Sequence, residues 1–400
     1  MKKTFFFAVS MIFFLSFSLS AYSKNSDNAD FSDLSLEELL EVRVVTASKR
    51  EEKVTDTPSP ILVISKGDLQ RRRYVNLLDL LADLPGVDIQ EATQQTSYHE
   101  IIWRGHVGSN KFLIMQDGVR IDSPTGENIP IAENIPLHHA ERVEILYGAA
   151  AALYGADAFG GVINIITEAA SKVDGVNVTA TTGTDNYQAY YLRAGKQLTE
   201  NLSIVVGGHQ HSADTADLSK RDASYNTKVD ATTYGGKTAI AAADRENFAA
   251  PVDSESAFAR INFGKNVTLG VNHSFLRNSS SLGVKPSISL FTDSAQWNSE
   301  TNTAYAKGSF DFNDHFSSNT TASYATYEAD PQSDFKSIFV DFEDSYTYVK
   351  GKKWGIEQQF DYRFNDNHAL IVGASYEDFY SIPRLTNLSH PYNVNEPFDE

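Results

Sequence analysis

Few residues of this chain have the type and spacing that catalysis or metal binding requires. His138 and His139 are adjacent but lack a third ligand, and the sequence contains neither a His-Glu-x-x-His motif nor a nucleophile elbow. The absence of cysteine excludes thiolate chemistry and cysteine-ligated zinc. Gly148 and Gly155 bracket alanines without a following Lys-Ser or Lys-Thr, so a phosphate-binding loop is excluded. The sequence therefore predicts a protein that is not an enzyme and carries no metal or cofactor.

The composition further restricts the class of protein to which the chain can belong. The chain has 400 residues, of which 41% are hydrophobic and 22% charged, and this is too polar for a protein with many membrane-spanning helices. Asp and Glu number 52 against 34 Lys and Arg, a net charge of -18. Such an excess of negative charge disfavours nucleic acid or an anionic lipid surface as the main partner.

The first 23 residues have the order of a secretory signal peptide. Lys2 and Lys3 precede an apolar run from Thr4 to Leu19, and small residues follow at Ala21 and Ser23. Cleavage after Ser23 or after Ala21 fits this pattern, and the alternative is an uncleaved anchor. We therefore expect an exported protein that spans any membrane with strands, because no later apolar run is long enough for a membrane helix.

Residues 41–167 mix short strands and helices, which predicts a small α+β domain. Ile61 to Ile64 form a predicted strand, Ser65 to Asp68 have the spacing of a capping box for a helix through Arg73, and Asn76 caps a helix from Leu77 to Leu84. Further strands are predicted at 87–90, 101–104, 112–116 and 119–122. Asp117-Gly118, between the last two, favours a tight hairpin turn.

Beyond Lys172 the helical period disappears and side chains alternate by twos. Ile356, Gln358, Phe360, Tyr362 and Phe364 share one face of a predicted strand, and polar or charged residues occupy the other face. One apolar and one polar face is typical of a barrel strand between lipid and water. A soluble β-sandwich also alternates in this way, so the connections must discriminate between the two.

Nine strands are predicted, at 173–183, 187–196, 202–211, 254–263, 267–278, 301–312, 315–328, 353–364 and 368–380. Short turns alternate with long loops along the chain, which favours an outer-membrane barrel over a sandwich. Residues 383–400 have the character of a further loop. Because bacterial barrels have even strand numbers, and plugged ones about 22 strands, we expect the chain to be the front part of a longer protein.

Three stretches carry a resemblance to a known family. The first runs from Ile101-Ile102-Trp103-Arg104-Gly105 to Phe112–Asp122, the second from Ile135 to Gly148 (with Glu141-Arg142-Val143-Glu144), and the third from Ala152 to Thr167. They resemble the TonB-dependent outer-membrane receptors for siderophores, vitamin B12 and colicins. Ala149 departs from the proline usual in that family, which concerns only the start of the following short helix.

The resemblance implies a transmembrane antiparallel β-barrel, incomplete in this chain, whose lumen holds the α+β domain as a plug. The expected division is a signal peptide at 1–23, an N-terminal extension at 24–50, a plug at 51–170 and the first part of the barrel at 171–400. Arg104, Arg142 and Glu144 are expected to form ion pairs within the plug or with the barrel.

The resemblance also implies coupling to TonB, a periplasmic partner, through a segment near the N-terminus. Our candidate comprises Val42, Arg43, Val44, Val45, Thr46 and Ala47, because an extended β-branched peptide can add as a strand to a partner's sheet edge. The alternative is that these residues are simply the first strand of the plug.

The expected ligand is a scarce nutrient, with a ferric siderophore as the first candidate and cobalamin or haem as alternatives. Outward turns of the plug are expected to contact it, through Gln94, Gln95, Ser97, Tyr98, Ser123, Thr125, Glu127 and Asn128. The competing hypothesis is a passive porin-like channel or an adhesin.

Overall fold

We describe a computed structural model of the chain. It covers residues 42–49, 52–57, 59–90, 99–148, 150–155, 157–214, 228–232, 236–244, 251–279, 296–336, 344–365 and 368–395. The predicted signal peptide and the predicted contacts at Gln94 to Tyr98 lie outside these residues.

The described part of the N-terminal domain comprises ten short strands and four short helices. Its strands are β1 (Arg43–Val44), β2 (Glu52–Lys53), β3 (Ile61–Ser65), β4 (Val87–Gln90), β5 (Glu100–Trp103), β6 (His106–Val107), β7 (Leu113–Gln116), β8 (Val119–Arg120), β9 (Ala140–Tyr147) and β10 (Gly161–Thr167). Its helices are α1 (Lys66–Arg72), α2 (Leu77–Ala82), α3 (Ala151–Tyr154) and α4 (Ala170–Val173), with 3-10 turns at Val54–Asp56 and Ser109–Lys111.

A five-stranded sheet organises this domain, in the order β3-β9-β10-β7-β8. β10 pairs parallel with β7, and the other neighbours are antiparallel. The apolar face of α2 packs on this sheet through Leu77, Leu80 and Leu81, each at most 1% exposed, together with Trp103 and Ile145. Burial of these side chains away from water is the main stabilising term of the domain.

Local capping fixes where α1 and α2 begin, as predicted. The Ser65 hydroxyl accepts a bond from the Asp68 amide, and the Asp68 carboxylate accepts the Ser65 amide, which completes a capping box. Asn76 and Asp79 do the same for α2. Both helices end earlier than predicted, at Arg72 and Ala82, because Arg73 adopts a left-handed conformation and Asp83 caps α2.

The predicted hairpin turn at Asp117-Gly118 is also confirmed. Both residues have positive φ angles, 50° and 73°, as a type I′ turn requires. Gly160 serves close packing, because a Cβ there would lie 2.7 Å from the carbonyl oxygen of Lys111 and 3.1 Å from the Trp103 ring.

The rest of the described chain forms one large antiparallel sheet and a small hairpin. The ten strands of the sheet are β11 (Gly175–Thr182), β12 (Gln188–Thr199), β13 (Leu202–Asp214), β16 (Pro251–Phe263), β17 (Val267–Ser279), β18 (Gln296–Asn313), β19 (Phe316–Ala329), β20 (Asp334–Lys336), β21 (Asp344–Asn365) and β22 (His368–Leu388). The hairpin pairs β14 (Ala231–Thr232) with β15 (Thr238–Ile240), and a 3-10 turn follows at Ala242–Asp244. β11 and β22 are the first and last long strands of the sheet and do not pair with each other.

All nine predicted strands are present, but several are longer than predicted. β18 begins at Gln296, β21 begins at Asp344 and β22 continues to Leu388, so the segment expected to begin a loop at Pro383 is partly strand. β20 is a tenth strand within the expected loop 329–352. The strand ends that are joined through 200–201, 264–266, 314–315 and 366–367 lie at one end of the sheet, the short-turn end. The strand ends that are joined through 183–187, 215–250, 280–295 and 330–343 lie at the other, the long-loop end.

The two faces of the sheet differ as the alternation predicted. Trp354, Ile356, Phe360, Tyr362 and Phe364 project from one face of β21 and are 43 to 60% exposed, and we call this the outer face. Trp354 and Phe364 are ten residues apart, which at about 3.3 Å per residue and a tilt near 40° corresponds to an apolar band about 25 Å tall. No helix within the described residues has the length and apolar character of a membrane-spanning helix.

Candidate functional site

The candidate TonB contact, Val42 to Ala47, is docked onto the N-terminal domain. Arg43 and Val44 pair with Glu52 and Lys53 as the two-stranded sheet β1-β2. Val44 and Thr46 are completely buried and Ala47 is 4% exposed, whereas Arg43 is exposed. Only two of the six residues form a strand, so the extended stretch is shorter in this docked state than the sequence predicted.

One carboxylate holds the centre of this segment. Oε2 of Glu144, a residue with no exposed surface, accepts the backbone N–H of Val45 at 3.0 Å and of Thr46 at 2.9 Å, and the Thr46 hydroxyl at 2.6 Å. Its other oxygen accepts the Arg142 side chain at 2.8 Å, which confirms the expected pairing of these two charges. Charge-assisted bonds of this kind are stronger than neutral ones, so Glu144 stabilises the docked conformation.

Two further side chains complete the Thr46 contacts. The Tyr154 hydroxyl donates to the Thr46 carbonyl at 2.8 Å, and the Asn164 amide donates to the Thr46 hydroxyl at 3.1 Å. Burial raises the pKa of Tyr154 above its ordinary value, so this hydroxyl remains a donor. The segment is thereby joined to β9, α3 and β10.

The N-terminal domain contacts the polar inner face of the large sheet along a seam of hydrogen bonds and ion pairs. Near the segment, Lys49 donates to Glu357 of β21 at 2.6 Å. Gln116 donates to Asn272 of β17 at 2.7 Å, and the Thr303 hydroxyl of β18 donates to the Arg120 carbonyl at 3.0 Å.

Two acidic residues of the domain, Asp117 and Glu168, form ion pairs with basic side chains of the sheet. Asp117, at the hairpin tip, pairs with Arg260 of β16 at 2.9 Å, and its carbonyl accepts Lys307 of β18. Glu168 is 3% exposed and pairs with both Lys66 of α1 and Arg193 of β12. These contacts tie the domain to three different strands.

The predicted ligand turn, Ser123 to Asn128, faces the long-loop halves of β21 and β22. Arg384 donates to the Asn128 carbonyl at 2.9 Å, and Thr125 packs against Gly351. Ser123 is 1% exposed, and its hydroxyl accepts the amides of Thr125 and Glu127. The side chain of Asn128 bonds Asn110. Ser123 and Asn128 therefore shape the turn, while Thr125 and Glu127 are partly exposed.

His138 and His139 lie in a turn that packs against the inner face of the large sheet, which we call the wall. His139 shares a hydrogen bond with Gln116 at 3.0 Å, and burial lowers its pKa to about 4. Burial and the nearby Arg193 charge likewise lower the pKa of Lys66 to about 8. Among the residues that the structure describes, no three His, Asp or Glu side chains are grouped so that they could hold a metal ion.

A cavity of about 160 Å³ lies between these histidines and the sheet. Lys66, Arg193, His209 and Phe258 contribute to its lining. It is large enough for a few water molecules but not for a siderophore or cobalamin.

The sequence did not indicate that Glu144 accepts hydrogen bonds from the segment. It also did not indicate the Lys49–Glu357 ion pair or the contacts of Asp117 with β16 and β18. Glu144 was recognised as a plug charge, but its partners on the segment are about 100 residues away in sequence. Nothing in local spacing indicates such a contact.

Comparison with known proteins assigns the N-terminal domain. A family model described as the TonB-dependent Receptor Plug Domain matches residues 53–162. Vitamin B12 transporters BtuB of Vibrio cholerae serotype O1 are 34% identical over 169 residues, which cover 42% of this chain and 27% of the relative. The match thus spans about a quarter of the length of those curated relatives.

Solved structures match the large sheet as well. The siderophore receptor PiuA of Acinetobacter baumannii has a TM-score of 0.60 at 20% identity over 87% of this chain and 49% of that one. BauA, the ferric preacinetobactin receptor of the same organism, has a TM-score of 0.58 at 15% identity, with coverage of 87% and 53%. At these identities the likeness establishes the fold, in which the sheet is part of a β-barrel and the N-terminal domain is its plug.

Proposed function

Because the chain carries the plug domain and part of the barrel of a TonB-dependent receptor, we propose that it belongs to an outer-membrane receptor that imports a scarce nutrient. Energy would reach it from the inner membrane through TonB. A signal peptide at residues 1–23 would direct export, and the plug and barrel would occupy about 51–170 and 171–400.

The polar character of the seam between the plug and the large sheet supports this proposal. The plug is joined to the wall by ion pairs and polar bonds, such as Asp117–Arg260 and Gln116–Asn272, on a face of the sheet that would otherwise line an aqueous lumen. Polar contacts can exchange with water when the plug moves, whereas a wholly apolar interface would expose surface at a high free-energy cost. The seam thus suits a plug that blocks the lumen and is later rearranged.

We assign Val42 to Ala47 as the TonB contact. In the docked state the N–H groups of Val45 and Thr46 are bonded to Glu144, so a partner strand cannot pair with them. Release from Glu144 would free those main-chain groups for strand addition. The alternative, a permanent first strand of the plug, predicts that the segment never leaves this site.

A ferric siderophore is our first candidate ligand, with cobalamin second and haem third. The receptors of known structure with the same fold include those described as ferric siderophore receptors, and the curated relatives are described as vitamin B12 transporters. The plug turns at Gln94 to Tyr98 and at Ser123 to Asn128 are the proposed contacts. Equilibrium binding of a ferric catecholate, a ferric hydroxamate and cyanocobalamin to the purified receptor distinguishes these candidates.

Uptake measurements in whole cells test the import mechanism. Deletion of residues 41–48 should abolish accumulation of the ligand while leaving binding at the cell surface intact. Collapse of the inner-membrane proton gradient should have the same effect. Accumulation that persists under both conditions would instead support a passive porin-like channel, and binding without any accumulation in the unmodified protein would support an adhesin.

A further inference from the structure

Four aromatic side chains of β12, β13 and the loop before β12 form a continuous array with His138 of the plug. His138 stacks on Tyr191 with ring centroids 3.8 Å apart, and Tyr191 stacks on His209 at 4.7 Å. His211 follows at 6.3 Å from His209, and Tyr187 meets it edge-on at 4.9 Å. Tyr191 therefore separates His138 from the two wall histidines.

His209 and His211 are buried without the bonds that buried imidazoles normally make. They are 7% and 2% exposed, and Nδ1 of His209 and both ring nitrogens of His211 have no hydrogen-bond partner among the residues that the structure describes. By contrast, His273 bonds Asn302 at 2.8 Å and His315 bonds the Arg363 carbonyl at 2.9 Å. Leaving a buried polar group unpaired is unfavourable, so these nitrogens are suited to an additional ligand.

The spacing of the pair suits one kind of ligand. Residues i and i+2 of a strand project to the same face, and both histidines lie on the inner face of β13. Neutral imidazole nitrogens are preferred ligands of Zn²⁺, Cu²⁺ and Ni²⁺, and a hydrogen-bonded organic ligand would require more space than the buried His211 leaves. Ser254, directly opposite His211, is 1% exposed, and within the described part of the chain its hydroxyl also lacks a hydrogen-bond partner.

The charge of Glu133 in the plug favours a cation beside the pair, because this carboxylate acts electrostatically on His211. Asp253 of β16 also acts on His211, but it is already paired with Arg277 of β17. Because no third His, Asp or Glu joins the pair within the described residues, the protein would supply two nitrogens and leave the remaining coordination positions to other donors. His211 lies three residues before Asp214, the last residue of β13 at the long-loop end, and this position is about 10 Å from the end of the strand.

We propose that His209 and His211 form a binding site for a divalent transition-metal ion, in which the two imidazoles chelate Cu²⁺, Ni²⁺ or Zn²⁺. The two rings are nearly parallel with centroids 6.3 Å apart, so the side chains would reorient toward each other to place one nitrogen of each on the ion, and water or the Ser254 hydroxyl would complete its coordination. The site does not depend on nutrient import, since it requires only the wall and the plug in their docked arrangement.

Calorimetric titration of the full-length protein in detergent, purified without a polyhistidine tag, tests this proposal. We expect one ion per chain, with the highest affinity for Cu²⁺ and lower affinities for Ni²⁺ and Zn²⁺, and no heat from Mg²⁺. His211→Gln and His209→Gln should each weaken Cu²⁺ binding at least tenfold. His138→Gln, on the opposite side of Tyr191, and His273→Gln, on the outer face, should leave it within twofold of the unmodified protein.

Spectroscopy of the unmodified protein tests the proposal even if a variant fails to fold. Electron paramagnetic resonance of the Cu²⁺ complex should show coupling to two imidazole nitrogens. The proposal is overturned if the unmodified protein binds none of the three ions, if the double variant His209→Gln/His211→Gln folds and binds as tightly as the unmodified protein, or if His138→Gln weakens binding as much as His211→Gln does.

Discussion

Replacing Glu144 with Gln should shift the docked N-terminal segment strongly toward the released state. The substitution preserves the shape of the side chain but removes its charge. Glu144 is completely buried and accepts three hydrogen bonds from Val45 and Thr46, so the change acts directly on the docking contact. Arg142, which pairs with the other oxygen at 2.8 Å, would then face an amide that is itself a donor.

The expected magnitude follows from these contacts. A hydrogen bond to a charged group contributes about 1.5–3 kcal/mol, and a neutral one about 0.5–1.5 kcal/mol. The three bonds to the segment should together lose about 3 kcal/mol, which corresponds to roughly a 100-fold change in the docking equilibrium.

Hydrogen exchange of the peptide that contains residues 42–48 measures this equilibrium directly. Amides exchange when the segment opens, so the exchange rate at Val45 and Thr46 should rise about 100-fold in Glu144→Gln when less than about 1% of the unmodified protein is open, and should reach the rate of an unprotected amide when more is open. Mass spectrometry of the receptor in detergent resolves such a change.

Glu141→Gln is the matched control. Glu141 lies on the same strand and pairs with Lys172, which is 57% exposed, so its loss should alter the exchange rate of the segment less than threefold. If Glu144→Gln also exchanges within threefold of the unmodified protein, the carboxylate does not hold the segment and the docking argument is wrong.

The remaining predictions concern the seam. In a double-mutant cycle, Lys49→Gln and Glu357→Gln should show a coupling of about 0.5 kcal/mol, because this ion pair is partly exposed, and each should raise the exchange of the segment two- to threefold. Asp117→Asn should lower the free energy of unfolding of the plug by about 3 kcal/mol in urea denaturation, since it leaves Arg260 buried without its carboxylate. Plug stability should fall as pH decreases from about 6.5 to about 4, by at most about 3 kcal/mol, because His139 is held neutral in the folded state and binds a proton more readily when unfolded. His139→Gln should remove the His139 contribution to this pH dependence and leave that of His138, whose pKa is also lowered by burial.

Controls for these predictions are available in the same chain. The Lys353–Glu377 pair joins two barrel strands at 3.0 Å, and its removal should leave the exchange of the segment unchanged. His368→Gln, at an exposed position, should leave the pH dependence of stability unchanged. An Asp117→Asn variant as stable as the unmodified protein would show that the hairpin tip does not anchor the plug.

Local features of the fold were predictable because their causes are local. The capping residues Ser65 and Asn76 act on amides three residues away, and the Asp117-Gly118 turn depends on two φ angles. The strand ends were less predictable. β21 begins at Asp344 rather than 353, because the polar stretch Lys350-Gly351-Lys352 interrupts the alternation, while main-chain pairing with β19 and β22 continues through it.

Parts of the candidate site could be predicted and parts could not. The sequence singled out Val42 to Ala47 and the turn from Ser123 to Asn128. It did not indicate that the former is bonded to Glu144, or that the Ser123 hydroxyl is used within its own turn.

By itself, the sequence determined where the long strands and the capped helices lie and which side of each long strand is apolar, because these properties depend on neighbours within a few positions. Only the tertiary structure decided which polar groups meet: Thr46 with Glu144, Lys49 with Glu357, and His211 with Ser254. The physical reason is that a two-residue period specifies the face on which a side chain lies but not the partner placed opposite it. That partner is set by strand register and by the docking of the plug against the wall.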